Sequence, residues 1–321
     1  MQETENKILE KYSYSKISTY KQCKFKYKLK YFDKNFLYSA NIATDFGSLV
    51  HTTEENIALA LQAGIPVNYI ALKNNFIIKA RKLALKYPDK FFVKDKSNKT
   101  YQEKVYFYLD SAIYRLEKFL KQNSNLKIIG IEQHFEFNYD DDHLFSGSID
   151  RAFLDVNTNE IIIQDIKTWS VPAQKSELKT PLQFAIYTMA ASKLWNVPAS
   201  KIKCEYDLPL CNSTQTTLST NIIEDSQLVI DKLFKGIKNN DFKPTVSALC
   251  HWCEYNPLVN PSIVTNKPEA VCPYFSTWQK SGDNVKNALI SWQNLESVSV
   301  DRQLCISQLK QHWFTEQELE K

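Results

Sequence analysis

At 321 residues, 43% of them hydrophobic and 13% aromatic, the chain can build a large core, as one domain with insertions or as two modest ones, and is not a disordered protein. Its 6 glycines leave no room for a glycine-rich phosphate loop, and a formal net charge of +4, from 40 Lys+Arg against 36 Asp+Glu, singles out no class of partner. The polar, acidic opening from Met1 to Glu5 lacks the basic-then-apolar order of a secretion signal, and no apolar run approaches the roughly 20 residues that span a bilayer. These features predict a soluble cytoplasmic protein without a membrane partner. In that setting the 7 cysteines are expected to be reduced thiols or metal ligands rather than disulfides.

In chain order, residues Ser15 to Phe32 read as a helix with a basic, aromatic face, capped by Ser15 or Ser18. On it Lys16, Lys24 and Lys28 are interleaved with Tyr20 and Tyr27. A second helix is expected from Phe46 to Ala63, and apolar residues at three- and four-residue spacing predict helix throughout Val67 to Asn125. The pattern then switches to strands at Lys127–Asn138, Ser146–Val156 and Glu160–Thr168, the last two joined by a turn at Asn157-Thr158-Asn159. Thr180 at the cap, Pro181 in the first turn and Gln183 three residues after the cap announce another helix. Strands at Lys203–Pro209 and Thr216–Asn221 and a helix at Glu224–Asn239 follow. Helices, a sheet core, then mixed α/β structure is the predicted order.

A turn centred between Asn157 and Thr158 sets Asp150 directly opposite Asp165 on two antiparallel strands. Opposed residues have Cβ atoms roughly 4.5–5.5 Å apart on one face. Two carboxylates so close repel unless a cation lies between them. Lys167, two residues beyond Asp165, projects from the same face. A hard cation such as Mg²⁺ takes oxygen ligands and activates water, and a lysine beside it offsets charge developing on a phosphodiester. A solvated ion pair on a surface hairpin is the plainer reading of these three residues taken alone.

Their context reads Gly147-Ser148-Ile149-Asp150-Arg151, then the apolar run Ile161 to Ile163 leading into Asp165-Ile166-Lys167-Thr168. This resembles the RecB-type branch of the PD-(D/E)XK nucleases, with its G-x-I-D-R and D-x-K-T strands. The resemblance covers Tyr14 to Phe275. It implies a restriction-endonuclease-like α/β fold, a mixed sheet core flanked by helices, as one nuclease domain over residues 1–275. Within it, 46–125 would be a helical region walling a DNA channel and 127–240 the catalytic core. The family's G-x-x-x-H histidine falls on His51 after Gly47. Its Q-x-x-x-Y pair falls on Gln183 and Tyr187, which in relatives help place substrate or water, although Gln183 also completes a capping box with Thr180. His51, Asp150, Asp165 and the Ile166 carbonyl would bind Mg²⁺ or Mn²⁺, with Lys167 orienting the water. Glu132 matches a frequent strand glutamate, with a catalytic or a supporting role.

One early and three late cysteines, Cys23, Cys250, Cys253 and Cys272, match the way iron–sulfur members of this branch hold a [4Fe–4S] cluster, as in AddB and the CRISPR-adaptation exonucleases. The gap from Cys253 to Cys272 is longer than in those relatives, which leaves Cys305 or His251 as substitutes for Cys272. Zn²⁺ is the alternative occupant. Cys204 and Cys211 are expected to be structural. The implied activity is a DNA exonuclease on single strands or duplex ends, working in recombination, repair, phage replication or CRISPR adaptation, in the nucleoid or a phage-infected cytoplasm. Its partner proteins would be a helicase, a recombination protein or a CRISPR-adaptation protein. Lys16, Lys24 and Lys28 would track phosphates while Tyr20 and Tyr27 stack on bases. The alternatives are a non-catalytic iron–sulfur scaffold that binds DNA and a DNA endonuclease. Residues 280–321 form a helical tail of unassigned role.

Overall fold

The computed structural model describes residues 9–37, 41–95, 97–174, 178, 181–217 and 221–274. The Thr180 cap, Phe275, Cys305 and the tail at 280–321 lie outside them. Strand β3 (His143–Asp155) is the spine of a six-stranded mixed sheet. β2 (Leu126–Asn138) runs antiparallel along almost all of it. The opposite edge is therefore shared by β1 (Glu10–Tyr12), parallel at His143 to Phe145, and β4 (Glu160–Ile166), antiparallel at Arg151 to Asp155. Between them residues 146–150 have no ladder partner on that edge among the described residues, so the sheet opens at Asp150. β5 (Ile202–Leu208) joins β4 in parallel, and β6 (Ser213–Thr216) closes the sheet.

The hairpin register is the expected one: Asp155 pairs with Glu160 and Arg151 with Gln164, and one step further sets Asp150 opposite Asp165. Gly147 pairs with Phe135, whose ring lies over it; a Cβ there would come to 2.8 Å from Phe135 Cζ.

Each face of the sheet is covered. Helices α1 (Tyr14–Gln22), α8 (Leu182–Trp195) and α9 (Ile222–Lys238) cover one, over Phe135, Phe145, Ile149, Ile161 and Ile163. Helices α3 (Ile42–Gln62), α4 (Tyr69–Lys86), α6 (Tyr101–Asp110) and α7 (Arg115–Gln122) cover the other, over Phe153, Ile162 and Ile166.

Several boundaries differ from expectation. The basic helix is capped by Ser13, whose Oγ accepts from Lys16 N–H, and breaks at Cys23, which is extended (φ −155°, ψ 110°). A short helix α2 (Lys24–Tyr27) and a π-helical turn (Lys28–Phe32) follow. α3 starts earlier than read, at an Asn41 cap. The region expected to be helical throughout is interrupted at the described residues 92–95 and 97–100, after the short α5 (Pro88–Phe91), and a Thr100/Glu103 capping box restarts the helix at α6. The last strand lies at Ser213–Thr216, earlier than expected. The three-residue β1 escaped sequence reading because it is too short to show a period.

Candidate active site

Helix α3 carries His51 to the open edge of β3. Gly47, one turn before it, packs close to Thr168 just past the end of β4: a Cβ there would lie 3.4 Å from Thr168 Oγ1, in ordinary contact. His51 Nδ1 comes within 3.6 Å of Asp150 Oδ2, and the Ile166 N–H donates to that oxygen at 2.7 Å. The Lys167 N–H donates to the Asp207 carbonyl on β5 at 2.8 Å. Because a trans peptide sets C=O and N–H on opposite sides, the Ile166 carbonyl is directed away from β5, towards Asp150.

Glu132 completes the group. It stands between Ile131 and Gln133, which pair with Arg151 and Ile149, and so lies opposite Asp150. Its φ of +43° is left-handed, in the interior of a strand. Such a conformation costs a non-glycine residue about 1–3 kcal/mol and persists where the surroundings impose it. Here it accompanies a change of face along β2: Ile128 and Ile131 pack under α3, Phe135 and Phe137 on the opposite side. The ligand atoms of His51, Glu132 and Asp150 all lie within 4.8 Å of one another. Octahedral ligands at about 2.1 Å from an ion are at most about 4.2 Å apart, so small adjustments let these three share one Mg²⁺-sized cation. Burial, and then the Asp150 charge, raises the Glu132 pKa, and the neighbouring His51 opposes the rise.

Asp165 lies beside this group, 1% exposed. Burial pushes its pKa up to about 6; the Lys167 ammonium opposes the rise and the Asp150 charge adds to it. Lys167 Nζ sits 2.6 Å from Asp165 Oδ2. On the other oxygen, Gln183 Nε2 donates to Asp165 Oδ1 at 2.8 Å and to Tyr187 Oη at 2.9 Å, and the Tyr187 hydroxyl donates to Oδ1 at 3.3 Å. One turn of α8 separates the two residues, which is why both reach one carboxylate. Both are buried and hydrogen-bonded to Asp165. The Gln183 side-chain amide is engaged with Asp165 and Tyr187, while the Thr180 cap lies outside the described residues.

The residues alternating with these acidic groups form a second, buried polar layer that sequence reading missed. Arg151, 2% exposed, donates through Nη1 to Glu54 Oε2 at 3.1 Å, through Nη2 to Asp207 Oδ2 at 2.7 Å, and through Nε to Gln164 Oε1 at 3.0 Å. The Tyr108 hydroxyl donates to the second Glu54 oxygen at 2.8 Å, and Arg115 Nη2 to the second Asp207 oxygen at 2.7 Å. Each member neighbours the site: Arg151 follows Asp150, Gln164 precedes Asp165, Glu54 lies one turn from His51, and the Asp207 carbonyl holds Lys167. The layer therefore ties α3 to β3 and β4, which carry Asp150 and Asp165, and to β5, whose Asp207 carbonyl accepts from Lys167 N–H. Arg151 stood in the G-x-I-D-R pattern, but its partners are 13 to 97 residues away in sequence, beyond any local pattern.

Cys23, Cys250, Cys253 and Cys272 line one cavity of about 130 Å³, walled also by Phe25, Leu29, Trp252 and Tyr255. The break after α1 turns Cys23 Sγ into a cap that accepts from Lys26 N–H and Thr245 N–H, both at 3.5 Å, and Cys250 Sγ accepts from Ser247 N–H at 3.5 Å. Burial pushes the Cys253 thiol up to about 12. Cys204 is buried beside Thr188 Oγ1 at 3.5 Å, and Cys211 Sγ donates to the Trp169 carbonyl.

Tyr20 and Tyr27, expected to stack on bases, are corrected to core residues at 1% and 2% exposure. Tyr20 packs on Gly236, where a Cβ would collide with its hydroxyl, and donates to the Asp241 carbonyl at 2.8 Å. Lys16 pairs with Glu10 at 3.0 Å, Lys28 with Asp33 at 2.7 Å, and Lys24 with Asp241.

Compared with known families, residues 11–258 match the model of the PD-(D/E)XK nuclease superfamily, well over half of the chain. The chain belongs to the PD-(D/E)XK nuclease superfamily. No curated protein matches it. The mixed sheet flanked by helices is the restriction-endonuclease-like architecture expected of a PD-(D/E)XK member. No helix among the described residues is long and apolar enough to cross a membrane.

Proposed function

We propose that this PD-(D/E)XK protein is a Mg²⁺- or Mn²⁺-dependent DNA nuclease. The observation that carries the reading is the meeting of His51, Glu132 and Asp150 around one cation-sized space, beside the buried Asp165–Lys167 pair. A divalent ion bound there supplies a Lewis acid and an acidified water. His51, Glu132, Asp150, Asp165 and the Ile166 carbonyl are the groups to hold it. Asp165 is steered by Gln183 and Tyr187 so that Oδ1 is held and Oδ2 faces Lys167. Lys167 is then placed to orient a water and to stabilise charge developing on the phosphodiester. At neutral pH Asp165 is ionised, as a ligand must be.

Exonuclease action on single strands or duplex ends, in recombination, repair, phage replication or CRISPR adaptation, rests on the RecB-type motifs. The same motifs suggest a helicase, recombination or CRISPR-adaptation partner and a cytoplasmic setting. Lys16, Lys24 and Lys28 serve this reading as phosphate contacts. Their exposed ion pairs are worth about 0–1 kcal/mol, so phosphate can displace the carboxylates. A [4Fe–4S] cluster on Cys23, Cys250, Cys253 and Cys272 is part of the proposal. It is supported by their shared cavity and by N–H donors on two sulfurs.

The test is degradation of end-labelled linear and circular single-stranded DNA in Mn²⁺ or EDTA. Metal-dependent loss of the linear strand alone is the expected result. Loss of the circle makes the enzyme an endonuclease, and binding without loss of either makes it a scaffold.

A further inference from the structure

Trp169, two residues beyond Lys167, is 38% exposed although its indole is the largest side chain near the site. Its ring rests on Tyr206 with centroids 5.1 Å apart, and Tyr206 rests in turn on the fully buried Phe184 at 4.3 Å. Tyr206 is the register partner of Asp165, and Lys167 Nζ lies 6.0 Å from the centre of its ring. One aromatic ring thus carries both the proposed catalytic ammonium and the exposed indole, which confines them to the reach of neighbouring nucleotides. The loop that bears Trp169 is braced at three points. Lys167 N–H donates to the Asp207 carbonyl, Cys211 Sγ to the Trp169 carbonyl at 3.3 Å, and Ala173 exchanges two hydrogen bonds with the Gln215 amide at 2.8 and 3.1 Å.

We propose that Trp169 is a stacking platform for one nucleobase of the strand whose phosphate meets Lys167, a subsite that selects an unpaired or terminal base. The proposal rests on the nuclease reading and deepens it. Every base has a π face, so such a platform tolerates sequence, but a base inside a duplex already has both faces covered. An indole already packed at a 55° tilt against Tyr206 loses little freedom when a base covers its exposed part. Tyr20 and Tyr27 of the basic helix are buried, so the indole next to Lys167 takes the role expected of them.

The experiment measures binding of short labelled single strands by fluorescence anisotropy in EDTA, with one abasic site moved along the strand a position at a time. Cleavage of the intact strand in Mn²⁺ is read in parallel. For the wild-type protein one abasic position is expected to weaken binding about 5- to 150-fold, the value of one base–aromatic stack. Trp169→Ala should bind the intact strand weaker by the same factor and ignore the abasic position, while Trp169→Tyr restores both. The platform is overturned if wild-type protein cleaves DNA but shows a flat abasic profile, or if Trp169→Ala matches it on the intact strand. A wild-type protein that neither binds nor cleaves overturns the nuclease reading, and the platform with it.

Discussion

Replacing Arg151 by Met is the sharpest test of how the site is held. The substitution keeps a long side chain but removes the guanidinium that faces Glu54, Asp207 and Gln164 in a region without solvent. Two carboxylates remain there. Arg115 still serves one oxygen of Asp207, and the Tyr108 hydroxyl one oxygen of Glu54. Burial already raises the Glu54 pKa while Arg151 holds it down, so the variant can take up a proton at Glu54 and recover part of the loss. Breaking one partner out of a buried ion pair costs about 3–5 kcal/mol. At roughly 2–4 °C per kcal/mol for a protein of this size class, the melting temperature should fall by roughly 6–20 °C. Circular dichroism during heating and urea unfolding measures it. Arg151→Met combined with Glu54→Gln should cost less than the two single losses added, because the orphaned charge is removed with its partner. A loss below about 1 kcal/mol for Arg151→Met, or strict additivity, would refute the claim that this layer locks α3 to the sheet.

Other perturbations read the site from different sides. Asp165 has a folded pKa near 6 against an ordinary 3.8, so its ionisation opposes folding: stability should fall as pH rises from about 4 through 6 and stay lower above. Asp165→Asn should therefore stabilise the metal-free protein at pH 8 by about 1–3 kcal/mol less the lost Lys167 pair, read as a higher melting temperature, and flatten that pH dependence; an unchanged or lower melting temperature contradicts it. Gln183→Ala should lower kcat about 10- to 100-fold with little change in KM for DNA, as expected of a residue that orients a ligand; a rise in KM alone would assign it to substrate binding. Cys253→Ser, in anaerobically purified protein, should lose iron and acid-labile sulfide together. Retention of both would remove Cys253 from the cluster, and zinc in place of iron in the parent would replace the cluster altogether.

Much of the catalytic hairpin was legible because its information is local. A short turn fixes antiparallel register, so Asp150 and Asp165 could be paired from sequence, and four-residue helical spacing set Gln183 and Tyr187 on one face. What they face was not legible: Gln183 read both as a site residue and as a cap partner of Thr180, and only the fold brings its amide onto Asp165. Glu132 could be matched to a family position, but its left-handed backbone depends on a sheet that changes faces there, which no period of two reveals. The helix break at Cys23 was hidden because Lys, Tyr and Phe continue on both sides of it, and the sulfur itself supplies the next cap. Alternating tyrosines and lysines from 16 to 31 looked like a nucleic-acid surface; packing against α9 and Gly236 made Tyr20 and Tyr27 core instead. Arg151 and its partners lie on four elements, so only the assembled fold shows the layer they form.

The measurement closest to the central claim is cleavage of end-labelled single-stranded DNA in Mn²⁺ by wild-type protein beside Asp165→Ala, with circular dichroism confirming both are folded. Metal-dependent cleavage by the wild type and none by the variant is the predicted result. Undiminished cleavage by Asp165→Ala would contradict it and move the chemistry away from the Asp150–Asp165–Lys167 hairpin.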